Sequence, residues 1–235
     1  MKEYLIKFSQ RIKRTPEIES FRFLLRQKIT FLPGQFAEVV FDREHPDKEL
    51  NKYLSFSASP TKDYIEFTKR LGASHFSSRL KELKAADEIL VKAPLGNCVF
   101  KDEYKKISFL IGGIGITPVV SIIEYIMDKK MDTDVCLLYS NRSEEEIAFK
   151  RELDEWTRQN QRIKITYAVS DCQPKDSACV FGRIDKGLVR ERVCDLSQRR
   201  VFIFGPPEMV TAMGNLCLDL GCEQGNIQTE NFVGY

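Results

Sequence analysis

The chain has 235 residues, 43% hydrophobic and 30% charged, which suits one large or two modest globular domains and excludes wholesale disorder. Lysine and arginine (36) nearly balance aspartate and glutamate (34), so a net charge of +2 leaves neither a basic footprint for nucleic acid nor a polybasic membrane anchor. The N-terminus MKEYLIKFSQRIKRTPEIES is too charged for a signal peptide, and no apolar run reaches the ~18 residues that span a bilayer.

The first ~100 residues carry the period-2 and β-branched signature of strands. Alternation runs through YLIKFSQRIK and SFRFLL. Pro33-Gly34 marks a turn before QFAEVVF, and YLSFSAS, DYIEFTKRL and EILVKAP follow at short spacing. This predicts an antiparallel barrel or sandwich. One helix is expected from about Ser74 through Leu83, with Ser74 and Ser77 as cap residues.

The second half changes period near Phe100–Lys105. KKISFLIGG is a continuous apolar strand, TPVVSIIEYIMDKK a helix with Pro118 in its first turn, and DVCLLYSN a strand. EEEIAFKRELDEWTRQN reads as an amphipathic helix and RIKITYAVS as a strand. RRVFIFGPP is a strand that leads into the helix PEMVTAMGNLCLDLG, with Gly221 placed to end it. DCQPKDSACVFGR is turn-rich and is expected to be an irregular loop or hairpin. Strands alternating with helices indicate a parallel sheet with right-handed crossovers. The expected plan is therefore a β domain over 1–102 and an α/β domain over 103–235.

Seven scattered cysteines read as reduced thiols of a cytoplasmic protein. Cys217 and Cys222 begin a plant-type iron–sulfur spacing, but the third ligand would fall at Gly225. With only His45 and His75 available, no metal site is expected.

Two loops carry the chemistry. Gly112-Gly113-Ile114-Gly115-Ile116-Thr117-Pro118 follows a strand and opens a helix, where bare backbone and free N–H groups suit a pyrophosphate. A side chain at Gly115 is expected to push the pyrophosphate away. The dinucleotide fingerprint G-x-G-x-x-G is not met, because Pro118 stands at the third glycine. On spacing alone a turn for tight strand–helix packing is an equal reading. Gly205-Pro206-Pro207-Glu208-Met209 ends another parallel strand, at the edge where open α/β sheets bind ligands. It is either the second arm of the same site or a rigid turn.

This order of motifs resembles the ferredoxin–NADP reductase superfamily, in a compact form without an iron–sulfur domain, over nearly the whole chain. The resemblance implies an N-terminal antiparallel Greek-key β-barrel that binds flavin and a Rossmann-like parallel α/β domain that binds NAD(P). Residues 112–118 reproduce the family loop G-G-x-G-I-T-P. The family's R-x-Y-S flavin strand is matched by Lys52-Tyr53-Leu54-Ser55. Lys52 keeps the charge of the arginine without its bidentate fork. Leu54 takes the aromatic position, and Tyr53 lies one residue earlier, on the opposite face of a strand. Ser55 matches the hydroxyl near the flavin N5 edge. Phe67, Thr68 and Lys69, then Gly72, Ser74, Phe76 and Ser77, correspond to the strand and helix start that meet the flavin phosphates.

The resemblance further places Glu230 and an aromatic ring, Tyr235 or Phe232, beside the flavin, although either ring also serves as a packing seal. It makes Ser55 and Glu230 border the reacting atoms and has Gly113, Gly115, Ile116, Thr117, Pro118, Gly205, Pro206, Pro207 and Met209 seat the nicotinamide dinucleotide. Asn141 and Arg142 end the next strand. Arg142 suits a 2′-phosphate, while Glu144, Glu145 and Glu146 either repel it or form a helix first turn.

The implied activity is hydride transfer from NAD(P)H to bound FAD, and onward electron transfer to a redox protein or small molecule such as ferredoxin, an oxygenase component or free flavin. Two alternatives are an electron-transfer subunit active only when docked to a partner enzyme and a dinucleotide-binding regulator without flavin.

Overall fold

A computed structural model describes residues 1–44 and 49–232. It divides into two compact units, Met1–Phe100 with Thr117–Asp128, and Lys101–Ile116 with the chain from Lys129 onward.

In the first unit six strands, β1 (Lys2–Lys13), β2 (Ile18–Leu25), β3 (Phe36–Val40), β4 (Asn51–Ser55), β5 (Tyr64–Arg70) and β6 (Glu88–Leu95), form one antiparallel sheet in the order β4-β3-β6-β1-β2-β5. An antiparallel bridge between Phe56, just past β4, and Phe67 on β5 brings the two edge strands together into a near-barrel. Alternation explains the interior: Ile6 and Phe8, Phe21 and Phe23, Ala37 and Val39, Ile65 and Phe67 all turn to one side and are buried. Phe56 stacks between Phe31, 4.0 Å away, and Phe67, 5.4 Å away. Helix α1 (His75–Glu82) plugs this core with Phe76 and Leu80. Ser74 is its N-cap, accepting the Ser77 N–H at 3.3 Å. Helix α2 (Ile116–Asp128) packs, from Thr117 onward, with this unit.

In the second unit β7 (Lys106–Gly112), β8 (Asp134–Asn141), β9 (Ile163–Val169), β10 (Cys179–Phe181), β11 (Arg200–Gly205) and β12 (Ile227–Asn231) form a wholly parallel sheet in the order β10-β9-β8-β7-β11-β12. Its central strands are apolar on both faces, as burial by flanking helices demands. The helices of this unit are α3 (Lys150–Gln159), α4 (Lys186–Arg192) and α5 (Pro207–Asp219).

The sequence expectation differs from the structure in four places. The helix expected from residue 144 begins only at Lys150. Ile147, Ala148 and Phe149 turn inward and are buried, and Phe149 takes a left-handed φ of +61° that no continuous helix allows. The stretch 171–183 is not a hairpin; its end pairs with β9 in parallel as β10. Helix α4, capped by the Asp185 carboxylate on the Leu188 N–H, was not expected. Nor was β12, whose sequence IQTEN lacks an apolar run because it is an edge strand.

No helix among the described residues is long and apolar enough to cross a membrane.

Candidate functional site

In the first unit, the flavin-motif residues separate by face. Lys52 and Leu54 turn to the core side, and Leu54 packs on the barrel core. Lys69, on β5, is largely buried, and its ammonium is held below the ordinary lysine range first by burial and then by repulsion from Lys52. Among the described residues neither lysine has an acidic partner. Two like charges held together without a counter-ion suit a bound anion. Ser74 and Ser77 begin α1, and the Ser77 hydroxyl accepts the Gly72 N–H at 3.3 Å. Ser55 is buried, 5% exposed, and its Oγ has no hydrogen-bond partner. An orphaned hydroxyl in such a place is unfavourable without a ligand group to meet it.

Other motif residues are engaged elsewhere. Tyr53 stands on the outer face, 66% exposed, with its ring edge-on to Phe36 at 5.7 Å. The alternation of β4 separates it from Lys52 and Leu54. Phe67 and Phe76 spend their rings on the core, so those rings are not open to a cofactor. The Thr68 hydroxyl lies in a buried chain, 2.6 Å from Ser20 Oγ and 2.7 Å from Ser57 Oγ. His75 is exposed, 3.4 Å from a Glu49 carboxylate oxygen.

In the second unit, β7 and β11 are parallel neighbours, so the two loops leave the sheet side by side. Gly115 lies against the backbone of the second loop: a Cβ there would come within 2.4 Å of the Phe204 carbonyl oxygen and 2.7 Å of its carbon. Gly113 differs. Its φ is +52°, and a Cβ there would meet nothing within 4 Å. The missing side chain of Gly115 thus serves close packing against the end of β11, and the open space lies at Gly113. Ile116, Thr117 and Pro118 are buried in the first turn of α2. Pro206 caps α5 and Pro207 begins it, both exposed, while the Met209 sulfur lies close to both Gly112 and Gly205.

The carboxyl edge of this sheet also gathers Asn141, Arg142 and Glu230. Asn141 is 7% exposed, and both atoms of its side-chain amide lack partners. Arg142 is exposed. The acidic run beside it is partly occupied, since the Glu144 carboxylate accepts the N–H groups of Lys175 and Asp176. Glu144–Glu146 form a 3-10 turn and not the first turn of a helix. Glu230 pairs with Phe204 across the β11–β12 ladder, and burial pushes its carboxyl up to about 7. Phe232 is half-buried, with its ring 6.4 Å from Phe204 and its N–H on the Gly205 carbonyl at 2.9 Å. Tyr235 lies outside the described residues.

Sequence reading missed Ser121, Glu124 and Asp128 on α2. They bond to the chain that follows the flavin strand. Their signal was a polar stripe at i, i+3, i+7 in an otherwise apolar helix.

Residues 109–214 match the oxidoreductase NAD-binding domain family. NADH-cytochrome b5 reductase 1 of Dictyostelium discoideum is 30% identical over 181 residues, covering 75% of this chain and 63% of that protein. The glycine betaine monooxygenase reductase subunit of Chromohalobacter salexigens is 27% identical over 94% of this chain and 62% of its own. The chain thus spans less than two thirds of either relative. A ferredoxin NADP+ reductase from Neisseria gonorrhoeae, solved with bound FAD and NADP, superposes with a TM-score of 0.82 at 21% identity, over 98% of this chain and 99% of that one. At that identity the likeness is one of fold. Motif order, fold and relatives agree: the chain carries a match to the oxidoreductase NAD-binding domain over residues 109–214 and is similar, in fold and in its relatives, to the ferredoxin–NADP reductase superfamily.

Proposed function

We propose that the protein is an NAD(P)H-dependent flavoprotein reductase, with flavin held by residues 1–102 and the nicotinamide dinucleotide by residues 103–235. FAD when bound accepts hydride from the reduced nicotinamide and releases electrons to an acceptor. The observation that carries the reading is the buried, unpartnered Ser55 hydroxyl, on the strand that also brings Lys52 to Lys69.

In this reading Lys52 and Lys69, with the start of α1, hold the flavin phosphates. Ser55 offers its hydroxyl to the flavin ring edge. Gly113 and the first turn of α2, with Thr117, receive the dinucleotide pyrophosphate, and Gly205–Met209 forms the second arm. Glu230 holds a proton near neutral pH and supplies or takes it as charge develops. Phe232 or Tyr235 offers a ring face to the flavin. Arg142, exposed and without an acidic partner among the described residues, favours a 2′-phosphate; the unpaired Asn141 amide beside it would meet the adenosine end.

The acceptor is a redox protein or small molecule, such as ferredoxin, an oxygenase component or free flavin, and the seven free cysteines support a cytoplasmic setting. A relative that is a reductase subunit favours, as a second reading, an electron-transfer subunit active only with its partner enzyme. Anaerobic addition of NADH or NADPH to purified protein should bleach a yellow flavin spectrum. A flavin-loaded sample that neither nucleotide bleaches refutes the proposal, and bleaching without turnover on artificial acceptors favours the partner-dependent reading.

A further inference from the structure

The segment leaving the flavin strand, Ala58–Lys62, is gripped by one face of α2. Ser121 Oγ donates to the Ala58 carbonyl at 2.8 Å. Glu124 Oε2 accepts the Ser59 N–H at 2.7 Å, and its Oε1 lies 3.3 Å from Lys62 Nζ. Asp128 accepts from the Thr61 hydroxyl and from Lys62 Nζ at 3.0 Å. The rest of this helix is apolar: Val119, Val120, Ile122, Ile123 and Ile126 are buried. A carboxylate shielded in such company gains little net stability from an ion pair. Hydrophobic residues would hold the helix as well.

The grip has a specific target. Ser57 is fixed to β5 through its N–H on the Glu66 carbonyl, 2.8 Å. From Ala58 onward the chain is fixed by α2 instead. Ser55 therefore stands three residues before a point held by Ser121 and four before one held by Glu124. The same helix opens with Ile116-Thr117-Pro118 of the glycine loop.

We propose that Glu124 is a positioning residue for flavin reduction, fixing the exit of the Ser55 strand on the helix that begins with the dinucleotide motif. Ser121 and Asp128 complete the clamp. The inference rests on the reductase reading above. Glu124 acts through Ser59: without it a fully buried N–H loses its acceptor and Lys62 is left to Asp128.

The test uses the flavin-loaded full chain as Glu124→Ala, Glu124→Gln and Ser121→Ala, with visible absorbance and anaerobic stopped-flow bleaching by NADH or NADPH. Glu124→Ala should shift the flavin band and slow bleaching about tenfold at saturating nucleotide, with half-saturation changed less than about twofold, since misplacement acts on the reacting geometry. Glu124→Gln should recover most of the rate, because its amide oxygen still accepts the Ser59 N–H. A folded Glu124→Ala protein with the parent's spectrum and rate overturns the proposal. Equal slowing in the Ala and Gln variants does so too, by assigning the effect to charge. If Glu124→Ala does not fold, Ser121→Ala is decisive: a smaller slowing supports the clamp and none overturns it. If the parent holds flavin that neither nucleotide bleaches, the reductase reading alone has failed, and the clamp stands or falls on the flavin band of the variants.

Discussion

Gly113→Ala and Gly115→Ala should fail in different ways, although both glycines belong to one motif. At Gly115 the new methyl would lie 2.4 Å from a backbone oxygen and 2.7 Å from its carbon, neither of which can rotate away. The loops must separate by about an ångström, an overpacking cost of roughly 1–3 kcal/mol. For a unit of this size that lowers the melting temperature by roughly 4 °C per kcal/mol. At Gly113 the methyl enters open space, and the only intrinsic cost is a left-handed alanine at φ +52°, about 1–2 kcal/mol. That open space is where the pyrophosphate is proposed to approach, so affinity should drop at least tenfold, about 1.4 kcal/mol. Thermal melts of the ligand-free variants and calorimetric titration with NAD+ and NADP+ separate the two effects. Gly115→Ala should melt lower; Gly113→Ala should lose more affinity per degree of melting temperature lost. The reverse order, or a Gly113→Ala protein that binds as the parent does, refutes the assignment of the cradle.

Three further outcomes are expected. Glu230 has a folded-state pKa of about 7 against an ordinary 4.5, so the folded chain binds more protons than the unfolded one between these values, and stability falls as pH rises through that window. Glu230→Gln should flatten the melting-temperature slope from pH 5 to 8 and remove any rate transition near pH 7; an unchanged slope shows that the carboxyl is not buried in solution. Lys69→Gln should remove a buried charge and its repulsion with Lys52, raising the melting temperature of flavin-free protein while weakening flavin retention; tighter retention would remove the lysine pair from the flavin site. Ser55→Ala deletes a hydroxyl with no partner, so flavin-free stability should rise, by roughly 1–3 kcal/mol, while bleaching slows; a stability loss would mean the hydroxyl has a partner after all.

The barrel was legible because its strands alternate over an aromatic core, and residues 112–118 were legible because the motif is local in sequence. What stayed hidden depends on tertiary partners. Edge strand β12 is polar because half its surroundings are solvent, so IQTEN carries no period. The run EEEIAF has helical composition, yet Ile147, Ala148 and Phe149 gain more by burial than by continuing a helix, and Glu144 finds two N–H groups far along the chain. Nothing within TPVVSIIEYIMDKK marks Glu124 as a clamp, because its partner, Ser59, lies 65 residues away. Gly115 and Gly113 are indistinguishable by letter; only the backbone of Phe204 tells them apart.

Without ligands the proposed flavin and dinucleotide residues are costly to the protein. A buried hydroxyl at Ser55 and a buried amide at Asn141 have no partners, and Lys52 and Lys69 repel each other. Each unmet polar group costs on the order of 1–3 kcal/mol, a large share of a domain's net stability of about 5–15 kcal/mol. Apolar replacements would remove these costs, so packing alone does not account for the residues found. They become favourable only when an anion meets the lysines and hydrogen-bonding groups meet Ser55 and Asn141. Such groups are preorganised: their desolvation is met during folding, and a ligand that satisfies them gains the interaction without reorganising the site. By mass action the same ligand stabilises the fold, by about 2.7 kcal/mol at a hundred times its dissociation constant. On the proposed assignment, the stability missing from the bare chain and the affinity for its cofactors are thus one free energy, carried by the side chains of Ser55, Asn141, Lys52 and Lys69.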